Sequence, residues 1–223
     1  MFADEPTGNL DSTSGAEVLG FLRRVVDTHG QTVVMVTHDP GAASWTDRAW
    51  AFRRALDAAE WARFIAGLKH LCTAAATEEM RVVYHHHMGT VIQTEFELDR
   101  LLADVPSLFM LLDPGHLAFA GIDPVAVTQR HAARIAHVHL KSVRPAIAER
   151  VRREGWSFCR AVTEGVFTIP GDGCVDFSAI FRILASVDYR GWLVVEAEED
   201  PGKVPALPKA KLARHYVRTH AGV

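Results

Sequence analysis

The chain lacks the segments that would carry it into or through a membrane. No uninterrupted apolar stretch comes near the roughly 20 residues that a membrane-spanning helix needs. The first residues, MFADEPTGN, carry acids where a secretion signal would begin with Lys or Arg and then turn apolar. We therefore expect a cytoplasmic protein.

Cysteine and clustered positive charge are also scarce. Cys72, Cys159 and Cys174 are odd in number and far apart, which fits neither a disulfide framework nor a paired zinc knuckle. We expect reduced thiols, with Cys72 buried on a helix. The net charge of −3 and the absence of any basic run argue against nucleic acid and membrane as partners. With 223 residues, 48% of them apolar, the chain can nevertheless build a good core.

The first fifty residues form a unit that cannot close a core by itself. EPTGNLDSTSG is rich in turn formers, AEVLGFLRRVVDTHG has the periodicity of an amphipathic helix, and QTVVMVTHDP contains a strand that is apolar on both faces. Such a strand needs neighbours on both sides.

Three ordered motifs in this segment resemble the C-terminal part of ABC-transporter ATPase subunits. FADEPTG is similar to the end of the Walker B strand, NLDS to the D-loop and VTHDP to the switch-histidine loop. The resemblance implies Asp4 near Mg²⁺, Glu5 orienting the attacking water and His38 at the γ-phosphate. The glycine-rich phosphate loop, G-x-x-x-x-G-K-[ST], and the LSGGQ signature are absent from the sequence. We therefore interpret residues 1–52 as a P-loop ATPase fragment that lacks the loop needed to bind the phosphates of a nucleotide.

From about Arg53 onward, helical and strand patterns alternate. Four short apolar strands are predicted within RVVYHHH, SLFMLLD, RIAHVHL and WLVVEAE, with helices before, between and after them. This alternation predicts parallel β/α units. Since a (β/α) barrel has eight strands, we expect an α/β fold with about half of a TIM barrel over residues 53–223.

Each predicted strand ends in side chains that can bind a metal or move a proton. The run VVYHHHMGT lies in mid-chain, which argues against a purification tag, and its alternation places His85 and His87 on one face and His86 on the other. The next strands end in Asp113 with His116, His137 with His139, and Glu196 with Glu198. If these side chains meet at one end of the barrel, their mixture of nitrogen and oxygen donors suits Mn²⁺, Co²⁺ or Zn²⁺.

These same motifs resemble the C-terminal half of inosose dehydratases, members of the xylose isomerase-like barrel superfamily. YHHHMGTVIQTE, LLDPGHLAFAG, HVHLK, EGVFTIPGDGCVDF and GWLVVEAEEDP carry the resemblance, which spans residues 53 to about 218. It implies Asp113, His139 and Glu196 as metal ligands. For the remaining ligand the sequence offers His87, with Gln93 and Glu95 further on.

The resemblance also implies a chemistry. A divalent ion, Mn²⁺ or Co²⁺, would bind a small cyclic ketone or polyol, and the reaction would remove an α-proton and then a hydroxide. We expect Glu196 to act as ligand and base, His116 as substrate contact or acid, and Lys141 as a polarising group with a pKa lowered by the cation. The sequence departs from the expected D-T-G-H and H-V-H-x-K-D at Pro114 and Ser142, which removes two supporting side chains.

Other polar residues have plainer interpretations. His85 and His86 are structural or substrate-facing, His131 and His215 lie on helix surfaces, and residues 198–200 form a solvated acidic loop. The GDG sequence at 171–173 predicts a turn, which the resemblance places at the barrel mouth.

Two further hypotheses stay open beside the dehydratase. The chain could function as an ATP-binding fragment, or as a sugar isomerase or epimerase of the same superfamily. No Pro, Gly or Ser linker separates residues 1–52 from residues 53–223, which indicates a fused or misassembled reading frame. A half barrel also leaves two strand edges open, and a second copy of the chain could cover them.

Overall fold

The computed structural model describes residues 2–4, 17–18, 20–22, 28, 34–36, 55–200 and 202–222. Glu5 and His38, two of the predicted ATPase residues, lie outside these ranges. So does the predicted boundary at residue 52.

Two short strands form a small sheet near the N-terminus. β1 (Phe2–Asp4) pairs in parallel with β2 (Val34–Val36), with Asp4 opposite Val36. Helical backbone at residues 17–18 and 20–22 agrees with the predicted helix before the second strand.

The predicted parallel sheet is confirmed. Its strands are β3 (Val83–His85), β4 (Phe109–Leu112), β5 (Ile135–Leu140) and β8 (Leu193–Val195), and all neighbours in the order β3-β4-β5-β8 run parallel. Because the carboxyl ends of parallel strands lie at the same edge of a sheet, the side chains that follow these strands meet at that edge.

Several helices that cover this sheet begin at a side-chain cap. α1 (Ala58–Thr77) and α2 (Glu95–Asp104) each start with a capping box, formed by Asp57 with Glu60 and by Thr94 with Glu97. α4 (Pro124–His131) is capped by Asp123, and a 3₁₀ turn (Ala132–Arg134) follows it. The last helix is α8 (Ala206–Ala221). Cys72 is buried on α1, as expected.

Several elements were not resolved by the sequence patterns. A short helix, α3 (Pro114–Phe119), follows β4 directly. Between β5 and β8 the chain forms an antiparallel pair, β6 (Ser142–Val143) with β7 (Phe167–Thr168), and the helices α5 (Pro145–Glu154), α6 (Phe158–Thr163) and α7 (Phe177–Ser186). Helix α7 packs between α4 and α8.

The core divides into two apolar clusters. The larger lies between the sheet and helices α1, α2 and α7, and includes Trp61, Leu98, Leu112, Val138 and Phe177. The smaller lies beneath α5 and α6 and includes Phe119, Val151, Trp156, Ala161 and Phe167. The second cluster therefore supports the segment between β6 and β7, on the side of the sheet edge where the polar residues meet.

Among the described helices, none is both long enough and apolar enough to cross a lipid bilayer.

Candidate active site at the carboxyl ends of the strands

Asp113 is the centre of the predicted site. It follows β4, and its Oδ1 accepts a hydrogen bond of 3.0 Å from the backbone N–H of His116, which caps α3. Its Oδ2 lies 3.5 Å from His85 Nε2, 3.5 Å from His139 Nδ1 and 3.8 Å from His116 Nε2. The side chain is fully buried. A buried carboxylate surrounded by imidazoles is therefore the core of the arrangement.

The structure brings Asp113, His139 and Glu196 together. His139 Nδ1 lies 2.7 Å from Glu196 Oε2, and one potential ligand atom from each of the three residues lies within 4.8 Å of the others. These are the residues for which the family resemblance implied metal ligation. They come from the ends of three neighbouring strands, as expected for a site at the carboxyl edge of the sheet.

For the fourth position the structure offers a second candidate beside the predicted His87. His87 does not join this group, and His85 lies beside it, with its ring centroid 5.0 Å from that of His139. Gln93 accepts a hydrogen bond from the backbone of Gly89, and Glu95 pairs with Arg130 at 2.6 Å. Of the candidates next to the central group, His85 is thus the nearest imidazole.

His87 belongs to an adjacent group with His116 and Glu198. Its Nε2 lies 3.8 Å from Glu198 Oε1, and its ring centroid lies 3.9 Å from that of His116. One potential ligand atom from each of these three residues also lies within 4.8 Å of the others. Asp113, His85 and His116 form a third overlapping set. The site is therefore a continuous patch of imidazoles and carboxylates.

Lys141 lies at the junction of these groups and is completely buried. Its Nζ lies 3.3 Å from Asp113 Oδ2, 3.1 Å from Glu196 Oε2 and 3.1 Å from Glu198 Oε2. Burial alone would lower the pKa of Lys141, but the three carboxylates outweigh it and raise that pKa above its ordinary value. In the protein alone, negative charge encloses the ammonium group and favours its charged form. The lowered pKa expected beside a bound cation stays a prediction.

The charges of the neighbours follow from the same contacts. Burial opposes ionisation of Glu196, yet His139 and Lys141 lower its pKa to about 2. Burial also opposes the imidazolium form of His139, yet Asp113 and Glu196 raise its pKa to about 9. The pKa of Asp113 falls well below its ordinary value despite burial, mainly because of Lys141. At neutral pH the site therefore holds ionised carboxylates opposite protonated nitrogen.

His116 and His86 are neutral. Burial, followed by the charges of His87 and Lys141, brings the pKa of His116 well below its ordinary value. Its Nε2 lies 3.0 Å from Lys141 Nζ, so the neutral ring accepts a hydrogen bond from the ammonium group. Burial lowers the pKa of His86 to about 4, and its Nε2 lies 2.7 Å from the carbonyl oxygen of Gln93. His86 thus points away from the site and serves the fold.

Two of the three acidic residues expected to form a solvated loop after β8, Glu198 and Glu199, have almost no exposed side-chain surface. The Glu198 side chain is 7% exposed and contacts Lys141 and His87. The Glu199 side chain is 8% exposed and pairs with Arg144 at 2.7 Å. The alternation of Glu196 and Glu198 in VVEAEED was the sequence signal for Glu198, since residues two apart face the same way in an extended chain.

Aromatic rings close one side of the site. The Phe158 ring lies 5.1 Å from His87 and the Phe167 ring 5.2 Å from His116, measured between centroids. Lys141 Nζ lies 5.1 Å from the centroid of Phe167. The predicted GDG turn follows β7, where Asp172 pairs with Arg144. Ser142, at the position where an Asp was expected, accepts a hydrogen bond from the backbone of Val175.

The chain is similar in sequence to curated proteins. An inosose dehydratase from Clostridium botulinum (strain Eklund 17B / Type B) is 45% identical over 166 residues, which are 74% of this chain and 56% of that protein. The chain thus spans little more than half the length of that relative.

Solved structures are similar at lower sequence identity. The probable 3-DHS dehydratase AsbF from Bacillus anthracis superposes with a TM-score of 0.60 at 19% identity, covering 95% of this chain and 72% of that one. The IolI protein, solved with a zinc atom, gives a TM-score of 0.58 at 14% identity and covers 99% and 75% of the two chains. At these identities the likeness concerns the fold.

The family described as xylose isomerase-like TIM barrel matches residues 22–219. This match begins within the segment that resembles the ATPases and continues through every strand of the site. The chain therefore belongs to the xylose isomerase-like TIM barrel family.

Proposed function

We propose that this chain is part of a metal-dependent dehydratase that acts on an inosose, a cyclic polyol ketone of inositol metabolism. One observation carries the proposal. In a chain 45% identical to an inosose dehydratase, Asp113, His139 and Glu196 converge from three strand ends onto one point. The buried ammonium group of Lys141 lies beside them.

The donor set fits a divalent cation. Among the described residues, His85 Nε2, Asp113 Oδ2, His139 Nδ1 and Glu196 Oε2 are buried atoms that make no hydrogen bond of regular geometry, although ion-pair contacts link them. Such buried polar atoms are incompletely satisfied, and a cation beside Asp113 Oδ2, which lies 3.5 Å from both imidazoles, would satisfy them. Two carboxylates with imidazoles suit Mn²⁺ or Co²⁺, and they also suit Zn²⁺, the ion in the IolI structure. We propose Asp113, His139, Glu196 and His85 as its ligands, in place of the predicted His87.

The bound ion would act as a Lewis acid on the ketone and an adjacent hydroxyl of the substrate. The protein supplies the proton transfers. In this proposal Glu196 accepts the α-proton, and Lys141, whose Nζ lies 3.1 Å from Glu196 Oε2, donates a proton to the departing hydroxide. His116 is neutral and accepts from Lys141, which makes it a support for the acid rather than the acid itself.

The apolar wall contributes by excluding water. Phe158 and Phe167 pack against the imidazoles, and Lys141, Asp113 and His116 are inaccessible to solvent. In such surroundings charges interact more strongly than they would in water. The C–H face of a cyclic polyol could pack on these rings while its hydroxyls reach the charged groups.

Metal analysis and an assay test the proposal together. Purified protein is loaded with Mn²⁺ or Co²⁺, dialysed, analysed for metal and assayed for dehydration of an inosose. Asp113→Ala should lose the metal. Asp113→Asn should lose it too, although its amide oxygen can still cap α3, so the loss cannot be attributed to unfolding. Asp99→Ala, a change in a surface ion pair with Arg130, is the matched control.

Unchanged metal content in both Asp113 variants would refute the ligand assignment. Metal binding without turnover of an inosose, but with turnover of a ketose, would instead favour the isomerase or epimerase alternative. Both reactions begin by removing a proton next to a carbonyl group.

A second candidate is ATP binding by residues 1–52. The parallel pairing of β1 with β2 places Asp4 opposite Val36, so the ends of FAD and VMV lie at one edge of their sheet. This is the arrangement that residues following two neighbouring strands would need in order to meet at a nucleotide. Labelled ATP should nevertheless fail to bind, because the sequence has no phosphate loop. Saturable binding would support the ATPase fragment, and resequencing the DNA for residues 45–60 would test whether the two parts are truly joined.

A further inference from the structure

The segment that follows β8 brings two carboxylates to the site without any regular secondary structure. β8 ends at Val195, and residues 196–200 are neither helix nor strand. Within the described residues, β8 pairs only with β5. The sheet therefore fixes the chain as far as Val195, and something else must fix Glu196 and Glu198.

Glu199 is the anchored residue of this segment. Its side chain leaves the site and lies 2.7 Å from Arg144 Nη2, with only 8% of its surface exposed. Lys209 Nζ, from α8, approaches the same carboxylate at 3.7 Å. Because Glu199 immediately follows Glu198, a displacement of the backbone at Glu199 also moves the backbone at Glu198.

Arg144 is itself held rigidly. It lies just after β6, where its backbone N–H donates to the carbonyl oxygen of Val166 at 2.9 Å. Its Nη1 donates to the carbonyl oxygens of Gly165 at 2.6 Å and Phe167 at 3.1 Å. Its Nη2 donates to Thr168 Oγ1 at 2.8 Å. These contacts join the guanidinium group to the strand pair β6 and β7.

Two carboxylates pair with the guanidinium group of Arg144, and only one of them belongs to a segment that provides side chains to the site. Asp172 lies 2.9 Å from Nη2, is 48% exposed and also pairs with Lys209. Asp172 belongs to the turn after β7 and provides no side chain to the site. Glu199 belongs to the segment that provides both Glu196 and Glu198. The chain thus contains a matched control for the contact between Arg144 and Glu199.

We propose that Arg144 is a positioning residue, which sets the places of Glu196 and Glu198 by holding Glu199. The proposal rests on the proposed function, since those carboxylates matter as part of the metal and proton-transfer site. Arg144 does not touch the reacting groups. It contacts Glu199, and three consecutive peptide units connect Glu199 to Glu196.

Hydrogen exchange measured by mass spectrometry on the metal-free protein is the first test. Arg144→Gln and Glu199→Gln should each speed amide exchange in residues 196–200 at least about tenfold, since local opening becomes easier when an anchor is lost. Asp172→Asn should leave this segment unchanged. The double variant Arg144→Gln with Glu199→Gln should exchange no faster than either single variant, because both remove the same contact. Arg144→Lys should restore part of the protection.

Mn²⁺ titration by calorimetry is the second test. Arg144→Gln and Glu199→Gln should weaken binding about 10- to 100-fold, the usual loss when a group that orients a metal ligand is removed. Asp172→Asn should bind like the unaltered protein. A thermal unfolding curve for each variant confirms that it folds.

The two tests separate the possible failures. Unchanged exchange in residues 196–200 overturns the role of Arg144, whether or not metal binds. Faster exchange with unchanged Mn²⁺ affinity also overturns it, because the anchor would then not set the site. If the unaltered protein binds no Mn²⁺, the proposed metal site fails, and the exchange measurement still decides whether Arg144 positions the segment.

Discussion

The stem of Lys141 lies directly against the backbone of Gly115. A Cβ atom on Gly115 would be 2.5 Å from Lys141 Cγ, closer than any real contact, and 2.8 Å from its Cβ. Gly115→Ala should therefore displace the buried lysine and destabilise the protein by about 1–3 kcal/mol, as overpacking generally does. Urea unfolding at pH 7 measures the change.

Gly67 provides the control for this substitution. It lies within α1, and a Cβ there would meet nothing within 4 Å. Gly67→Ala should be neutral or stabilising by up to about 1 kcal/mol, since alanine is the better helix former. Equal unfolding midpoints for Gly115→Ala and the unaltered protein would show that the close packing is wrong.

Removing the ammonium group of Lys141 should be strongly destabilising. Lys141→Met leaves Asp113, Glu196 and Glu198 buried together without their cation. Loss of one partner from a buried ionic group costs about 3–5 kcal/mol. The loss should be smaller at pH 5 than at pH 7, because a carboxylate deprived of its cation takes up a proton more readily. Lys69→Met, on the exposed face of α1, should change stability little, and an equal effect in both variants would contradict the role assigned to Lys141.

His86 should make the fold sensitive to acid. Burial lowers its pKa to about 4, below the ordinary value of 6.5. The unfolded chain therefore binds the proton more readily, and the stability that depends on neutral His86 is complete above pH 6.5 and is lost as the pH falls toward 4. The loss should amount to about 1–3 kcal/mol.

His86→Gln isolates this effect. Glutamine does not titrate, and its amide can still donate to the Gln93 carbonyl oxygen. The variant should lose less stability between pH 6.5 and pH 4 than the unaltered protein, as measured by urea unfolding at several pH values. His215→Gln, on the exposed surface of α8, should keep the original slope. Parallel slopes for His86→Gln and the unaltered protein would exclude His86 as the source.

The capping box of α1 gives a fourth prediction. Asp57 accepts a hydrogen bond of 2.8 Å from the backbone of Glu60, and Glu60 accepts one of 2.9 Å from the backbone of Asp57. Asp57→Ala should reduce stability by about 1 kcal/mol, whereas Asp57→Asn should retain most of it. Thermal unfolding distinguishes the two, and identical curves would argue against the cap.

The regular part of the fold follows from local sequence. Alternating apolar strands and capped helices predicted β3, β4, β5 and β8 in parallel, because each strand is apolar and each is separated from the next by a helical segment. The short helix α3 was missed, although Asp113 followed by Pro114 is a favourable helix start. The pair β6 and β7 has only two residues in each strand, too few for a periodic signal.

The meeting of Asp113, His139 and Glu196 could be expected from the sequence, because each lies at or just after the end of a strand. The charges of these residues and their neighbours could not. The raised pKa of Lys141 depends on three carboxylates that come from distant parts of the chain. The burial of Glu199 likewise depends on Arg144, which precedes it by 55 residues. Such pairings are decided by how the segments pack, and local sequence contains no record of them.

The outer side of β8 has a consequence for the purified protein. Within the described residues its backbone pairs with β5 alone, and Trp192, the residue before the strand, is 77% exposed. Val194 and Val195 are each 37% exposed. In the part of the chain that the structure describes, β8 is thus an exposed apolar strand edge with unpaired amide and carbonyl groups, which another copy of the chain could pair with. Dilute samples should therefore stay dispersed, whereas concentrated samples should associate and scatter more light. The association state of the purified chain should therefore depend on its concentration.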